Sequence, residues 1–144
     1  MKPTKKALAL VIKNDLGEIL IVKRPDTEKG PIAGAWGFPA VVIDDGESEP
    51  EAAKRVGKQK LGVEIEILNR IGEKNGDRGD FILNLCDYNA RIINGTPKVP
   101  QDNPNITQYT DWKYSMDPAV LIPAAKRGSL CSQIYLESIG ISWD

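Results

Sequence analysis

Aliphatic and charged residues alternate strictly from Val63 to Ile67, with Ile65 between Glu64 and Glu66, the period of a half-buried strand. Phe81, Leu83 and Leu85 repeat the pattern, and the strand they predict continues towards Arg91. Residues 7–12 and 18–24 are instead nearly continuous apolar, β-rich runs. The turn sequence Asn14-Asp15-Leu16-Gly17 joins them, so the pair predicts a β-hairpin. Residues 25–37 hold three glycines and two prolines and predict a long loop, with short strands after it at 37–39 and 41–43.

A helix is predicted from Ser48-Glu49-Pro50-Glu51 onwards. Ser48 can accept from the orphan amides while Glu51, three residues on, reaches back, which makes a capping box. Pro50 falls in the first turn, where a missing amide hydrogen costs little. The helix is expected to run to about Leu61 and stop at Gly62. Asn94-Gly95-Thr96-Pro97 turns the chain, 101–105 is a polar loop, and a short strand is expected around 112–114. Asp117-Pro118 starts a helix that Lys126-Arg127-Gly128 ends, with cations at the negative end of its dipole. A last helix covers about 129–138. Strands, a central helix, more strands and terminal helices predict an α/β (α+β) fold, a mixed sheet with helices packed on its faces. No repeat or linker divides the chain, so residues 1–144 are expected to form a single domain.

Composition narrows the chemistry. A hydrophobic share of 41% and a charged share of 27% fit a soluble globular protein. With a net charge of −1, neither a nucleic-acid backbone nor an anionic membrane is expected as a bulk partner. There is no apolar run long enough to span a bilayer and no signal-peptide pattern at the N-terminus, so a cytoplasmic location is expected. Cys86 and Cys131 are too far apart for a Cys-x-x-Cys site and are expected as reduced, buried thiols. The chain has no histidine, which removes histidine bases, histidine metal ligands and Ser-His-Asp triads together. Any metal would need oxygen ligands, which favours Mg²⁺ or Mn²⁺ over zinc.

The stretch from Trp36 to Val63, WGFPAVVIDDGESEPEAAKRVGKQKLGV, resembles a Nudix box: Gly, five residues, Glu, seven residues, then Arg-Glu-U-x-Glu-Glu-x-Gly-U, with U a bulky aliphatic. Glu47, Arg55, Gly62 and Val63 fall on motif positions without insertion or deletion. Val41 replaces the first glycine, Gly57 the aliphatic, and Val56, Gln59 and Lys60 the three glutamates. Lys23-Arg24, the Trp36, Phe38 and Pro39 that lead into the box, Ala52-Ala53, Trp112 and the helix begun by Pro118 also suit the family, so the resemblance covers about 6–128. It implies a Nudix (MutT-like) α/β/α sandwich in which the degenerate box forms a central loop–helix–loop.

The resemblance also implies hydrolysis of a nucleoside diphosphate linked to a group X, by metal ions on box carboxylates that lower the pKa of an attacking water. Positions 56, 59 and 60 share one helical face. Val56 cannot ligate, Gln59 offers a neutral oxygen, and Lys60 would repel a dication ~4 Å away by on the order of several kcal/mol. The leading expectation is therefore a catalytically impaired Nudix-fold protein that retains nucleotide, diphosphate or partner binding. Its retained motif residues are Glu47, Arg55 and Gly62, and its candidate ligand-binding residues are Arg24, Trp36, Lys60 and Tyr109. Lys60 has two readings, a solvated helix residue, which is the favoured one, or an ammonium that neutralises a diphosphate in place of the metal. No cofactor is required by the leading expectation. The second expectation is an active hydrolase that uses Mg²⁺ or Mn²⁺ on acids outside the standard positions, with Glu47 and Glu51 the weak metal candidates. The third is a protein-interaction module on the same scaffold, and a homodimer is compatible with any of the three.

Overall fold

The computed structural model describes residues 2–27, 30–103 and 106–144. Its elements in chain order are β1 (Thr4–Ile12), β2 (Ile19–Lys23), β3 (Trp36–Gly37), β4 (Ala40–Val42), α1 (Glu49–Val56), β5 (Glu64–Asp77), β6 (Ile82–Asn94), β7 (Asp111–Ser115), α2 (Ile122–Lys126) and α3 (Leu130–Ser138). A wide π-turn, Gly57–Leu61, prolongs α1, and a 3₁₀ turn, Pro118–Leu121, leads into α2. The strands form two sheets, a mixed one in the order β4-β1-β6-β5 and an antiparallel one in the order β3-β2-β7.

The two apolar runs near the N-terminus form strands, but the predicted hairpin between them does not form. β1 and β2 enter different sheets, and the Lys13–Ile19 bridge is the pairing between them among the described residues. Continuous apolar runs bury both faces of a strand, and such a strand is most stable with a neighbour at each edge. β1 finds β4 and β6, and β2 finds β3 and β7. The turn itself is as expected, with Asn14 Oδ1 accepting from the amides of Leu16 and Glu18 at 3.1 and 2.9 Å. β5 and β6 run past their expected limits as one long antiparallel pair, with register shifts that curve it. Within the predicted loops, Glu28, Lys29, Pro104 and Asn105 lie outside the described residues.

Burial on both faces makes three layers. Leu8, Leu10 and Ile12 of β1 pack with Ala52, Ala53 and Val56 of α1, while Ala7, Ala9 and Val11 pack with Leu130, Ile134 and Tyr135 of α3. The predicted capping box starts α1: Ser48 Oγ accepts from the Glu51 amide at 3.2 Å and Glu51 Oε1 from the Ser48 amide at 3.0 Å. Gly62 closes the helix at φ 71°, where a side chain would be strained. Gly57 is not merely a missing core residue. A Cβ there would lie 3.0 Å from the Val63 carbonyl oxygen and 3.1 Å from Ile65 Cγ2, so strand β5 fills the space an aliphatic would take.

The face beneath α3 holds a costly group, Asp87. Asp87 continues the Leu83, Leu85 alternation, is fully buried, and has no hydrogen-bond partner for either carboxylate oxygen among the described residues. Burial pushes its pKa well above the usual carboxylate range. Desolvation also raises the Cys131 thiol, and the Asp87 charge adds to that rise.

Two outcomes follow from this packing. Gly57→Ala, which favours an ordinary helix by about 1 kcal/mol, is expected to lower thermal stability here because the added methyl meets fixed backbone. For Asp87, the folded state binds the proton more tightly than the unfolded state. Its contribution therefore falls as pH rises from the ordinary 3.8 towards the raised folded value. Asp87→Asn is expected to stabilise the protein at pH 7 by about 2 kcal/mol, with the gain shrinking towards pH 4. Urea titrations of both proteins across that range measure it, and a pH-independent difference would refute the assignment.

Candidate functional site

The box arginine ties three segments together. Arg55 Nε and Nη2 donate to Glu47 Oε2 and Oε1, both at 2.9 Å, and Nη2 also donates to the Val42 carbonyl at 2.7 Å. Glu47 Oε1 further accepts from the Asp44 amide at 3.1 Å. A planar guanidinium meets a carboxylate two-pronged, which a lysine cannot do. The Arg55 hydrogen bond is the main cause holding the Glu47 pKa below its usual value. The two retained motif residues are therefore joined, and they fix the loop after β4 against α1.

The three positions without glutamate are dispersed in chemistry but still adjacent. Val56 is fully buried in the core between α1 and β1. Gln59 Oε1 accepts from Arg55 Nη1 at 3.2 Å, so the brace has claimed its oxygen. Lys60 departs from the favoured expectation of a solvated helix residue. It is only 6% exposed, because the π-turn directs it inward to donate to the Thr107 carbonyl, with its ammonium 5.2 Å from the Tyr109 ring centre. The Tyr109 hydroxyl accepts from the Ala40 amide at 2.9 Å and lies 3.5 Å from the Ala40 carbonyl, closing the strand that leads into the box loop.

Lys60 and Thr107 belong to the wall of a cavity of about 310 Å³. The cavity reaches round the β4 edge, from Val41 on the α1 side to Leu85 and Leu130 on the α3 side. Arg24 and Trp36 also line it; Tyr109 does not, and instead supports Lys60 from behind. Lys113 Nζ sits 4.6 Å from the centre of the Trp36 ring. Phe38 is 2% exposed and packs edge-to-face on Tyr135, and Trp112 does the same with Tyr114, so both serve mainly as packing.

Five of the other acids have partners of their own. Glu51 completes the capping box, Glu49 meets the Tyr88 hydroxyl and lies 3.6 Å from Arg70, and Asp44 lies 3.7 Å from Arg55. Asp77 pairs with Lys2 at 2.7 Å, and Asp111 accepts from the Trp112 amide.

The model of the NUDIX domain matches residues 3–113. The chain belongs to the Nudix family. Solved structures share the Nudix fold over nearly the whole chain. The MutT protein of Methanosarcina mazei Go1 superposes with a TM-score of 0.74 at 14% identity, covering 96% of this chain and 94% of that one. The E. coli ORF135 protein gives 0.71 at 19%, covering 96% and 93%. A MutT NUDIX hydrolase from Burkholderia pseudomallei gives 0.66 at 20%, covering 89% and 100%. No curated protein matches the chain significantly in sequence.

The divalent cation that Nudix chemistry implies does not fit the residues at box positions 56, 59 and 60. A hard cation needs several oxygen ligands, and the box face offers a methyl pair, an amide oxygen held by Arg55 and an ammonium. Among the described residues, no three acidic, cysteine or histidine side chains gather as a metal site would need. The weak metal candidates, Glu47 and Glu51, serve as a brace and a cap. Sequence reasoning missed Thr107 and Ser129, which line the cavity from distant segments and carry no local motif, while Arg78 lies in the loop 77–80 where specificity was expected. It also missed Asp87, for which a signal existed in the alternation of Leu83 and Leu85 carried two residues further.

If the brace holds the box together, Arg55→Ala lowers stability by about 2 kcal/mol and Arg55→Lys recovers little of it, as thermal melts would read. Glu47 titrates below its unfolded value of 4.5, so its contribution is complete at neutral pH and is lost as pH falls through the folded pKa. The difference between wild type and Glu47→Gln is expected to vanish in that acid range.

Proposed function

We propose that this Nudix protein binds a nucleoside diphosphate-type anion in the cavity beside β4 and does not hydrolyse it by the metal–carboxylate route. The observation that carries the reading is the Lys60 ammonium, set in the cavity wall at a box position where the family pattern has a glutamate. A fixed cation in a largely dehydrated wall attracts a diphosphate more strongly than a solvated one would. Arg24 adds a second cation to the lining, and Trp36 supplies an aromatic surface. Without box carboxylates, no group at these positions can hold a dication against the diphosphate or activate a water through it.

The alternative of an interaction module draws on a separate open groove between α1 and the start of β5. Lys54 and Lys58 rim it, and Ile65, Ile67 and Ile93 form its apolar floor. Binding of nucleotide diphosphates is the measurement that separates the two readings.

Calorimetric titration with ADP and UDP in EDTA is expected to show binding in the wild type, at least tenfold weaker binding in Lys60→Met, and none in Lys60→Glu. Melting curves of the variants establish that they fold. Incubation of the wild type with a panel of nucleoside diphosphate-X compounds and Mg²⁺ or Mn²⁺ is expected to release no product. Turnover that EDTA abolishes would overturn the proposal and establish metal ligands outside the box. Gln59→Glu/Lys60→Glu, which leaves the buried Val56 in place, tests whether two restored carboxylates recover metal-dependent hydrolysis.

A further inference from the structure

We infer that two copies of this chain associate about a two-fold axis that runs along the groove between α1 and the start of β5. The inference stands apart from the nucleotide reading, because the groove and the cavity share no lining residue.

β5 is the outermost strand of the mixed sheet, so its outer edge meets no strand among the described residues. Two breaks in its register with β6 shape that edge. Glu64 pairs with Asn94 but Ile65 with Ile92, and Ile67 pairs with Ala90 but Asn69 with Asn89. Ile93 and Leu68 are therefore the extra residues of two bulges, and both are exposed to solvent. A bulge interrupts the row of backbone donors and acceptors, which disfavours the addition of another strand, and it re-aims the side chain. This edge is suited to contact through side chains, with Ile93 continuous with the floor that Ile65 and Ile67 form.

Charge decides what covers the groove. Lys54 and Lys58 stand one turn apart on α1 and make one side basic, while Glu64 and Glu66 of β5 make the other acidic. Lys54, Lys58 and Glu64 have no ion pair among the described residues, and Glu66 has an exposed one with Arg91. A partner of a single sign would be attracted by one side and repelled by the other. A two-fold contact between identical chains has to be self-complementary, and a groove with one side of each sign meets that condition. With the axis along the groove, the acidic side of each copy lies over Lys54 and Lys58 of the other, and the apolar floors face each other. An axis across the groove would set like charges together. The rim charges then fix the register, and the apolar centre supplies most of the affinity.

Sedimentation equilibrium of the full chain between about 1 and about 100 µM measures the association. The wild type is expected to dimerise in that range and to dissociate more readily as salt is added. Ile93→Glu is expected to weaken the dimer by about tenfold or more. Lys54→Glu/Lys58→Glu and Glu64→Lys/Glu66→Lys, each alone, are expected to be monomeric, since each sets like charges together at both contacts. Mixed in equal amounts, the two charge-reversed proteins are expected to form a dimer again, a recovery that misfolded chains could not give. Melting curves of the separate variants establish that they fold. A wild type that stays monomeric throughout, a dimer that all three changes leave intact, or a mixture that remains monomeric would each overturn the inference.

Discussion

The two-pronged ion pair between Arg55 and Glu47 is the contact on which the rest of this site depends. It joins a helix, the loop before it and the carbonyl of Val42 in an edge strand, through one guanidinium that is 22% exposed and a carboxylate that is 15% exposed. A bidentate pair with this little water around it constrains direction as well as distance. The loop from β4 to α1 therefore keeps one path, and the π-turn begins from a fixed position. The brace is made by Glu47 and Arg55, not by positions 56 and 60.

The three box positions without glutamate are each accommodated by the fold. Val56 joins the apolar layer under α1, Gln59 extends the brace, and Lys60 is drawn into the cavity wall by a backbone carbonyl and an aromatic ring. Each replacement has a satisfied environment of its own. The charge at position 60 is an ammonium, where the Nudix-box pattern has a carboxylate.

Stability is distributed unevenly between the two faces of the mixed sheet. On the α1 side, the polar groups near the box are paired. On the α3 side, Asp87 is buried beneath the helix with its carboxylate unpartnered among the described residues. Ala9 lies opposite it on β1 and Gly72 on β5, so small neighbours leave room for the group without supplying a donor. A protein is only marginally stable as a whole, and one such residue is a large fraction of the margin.

Residue order alone determined the elements whose signals are local. The capping box at Ser48, the stop at Gly62, the turn at Asn14 and the alternating strands depend on neighbours within a few positions, so the chain states them directly. It likewise determined that three box positions lack carboxylates. Tertiary structure decided which strands pair, because an apolar run buried on both faces suits any two neighbours and only the closed sandwich selects them. It decided that Lys60 is enclosed, since Thr107 and Tyr109 come from a loop far along the chain. It also assembled the cavity from Arg24, Lys60 and Arg78, whose positive charges converge only when elements on both faces of the sheet are packed. Local hydrogen bonding and periodicity act over a few residues, whereas a cavity is a relation between surfaces, and no short stretch of sequence contains it.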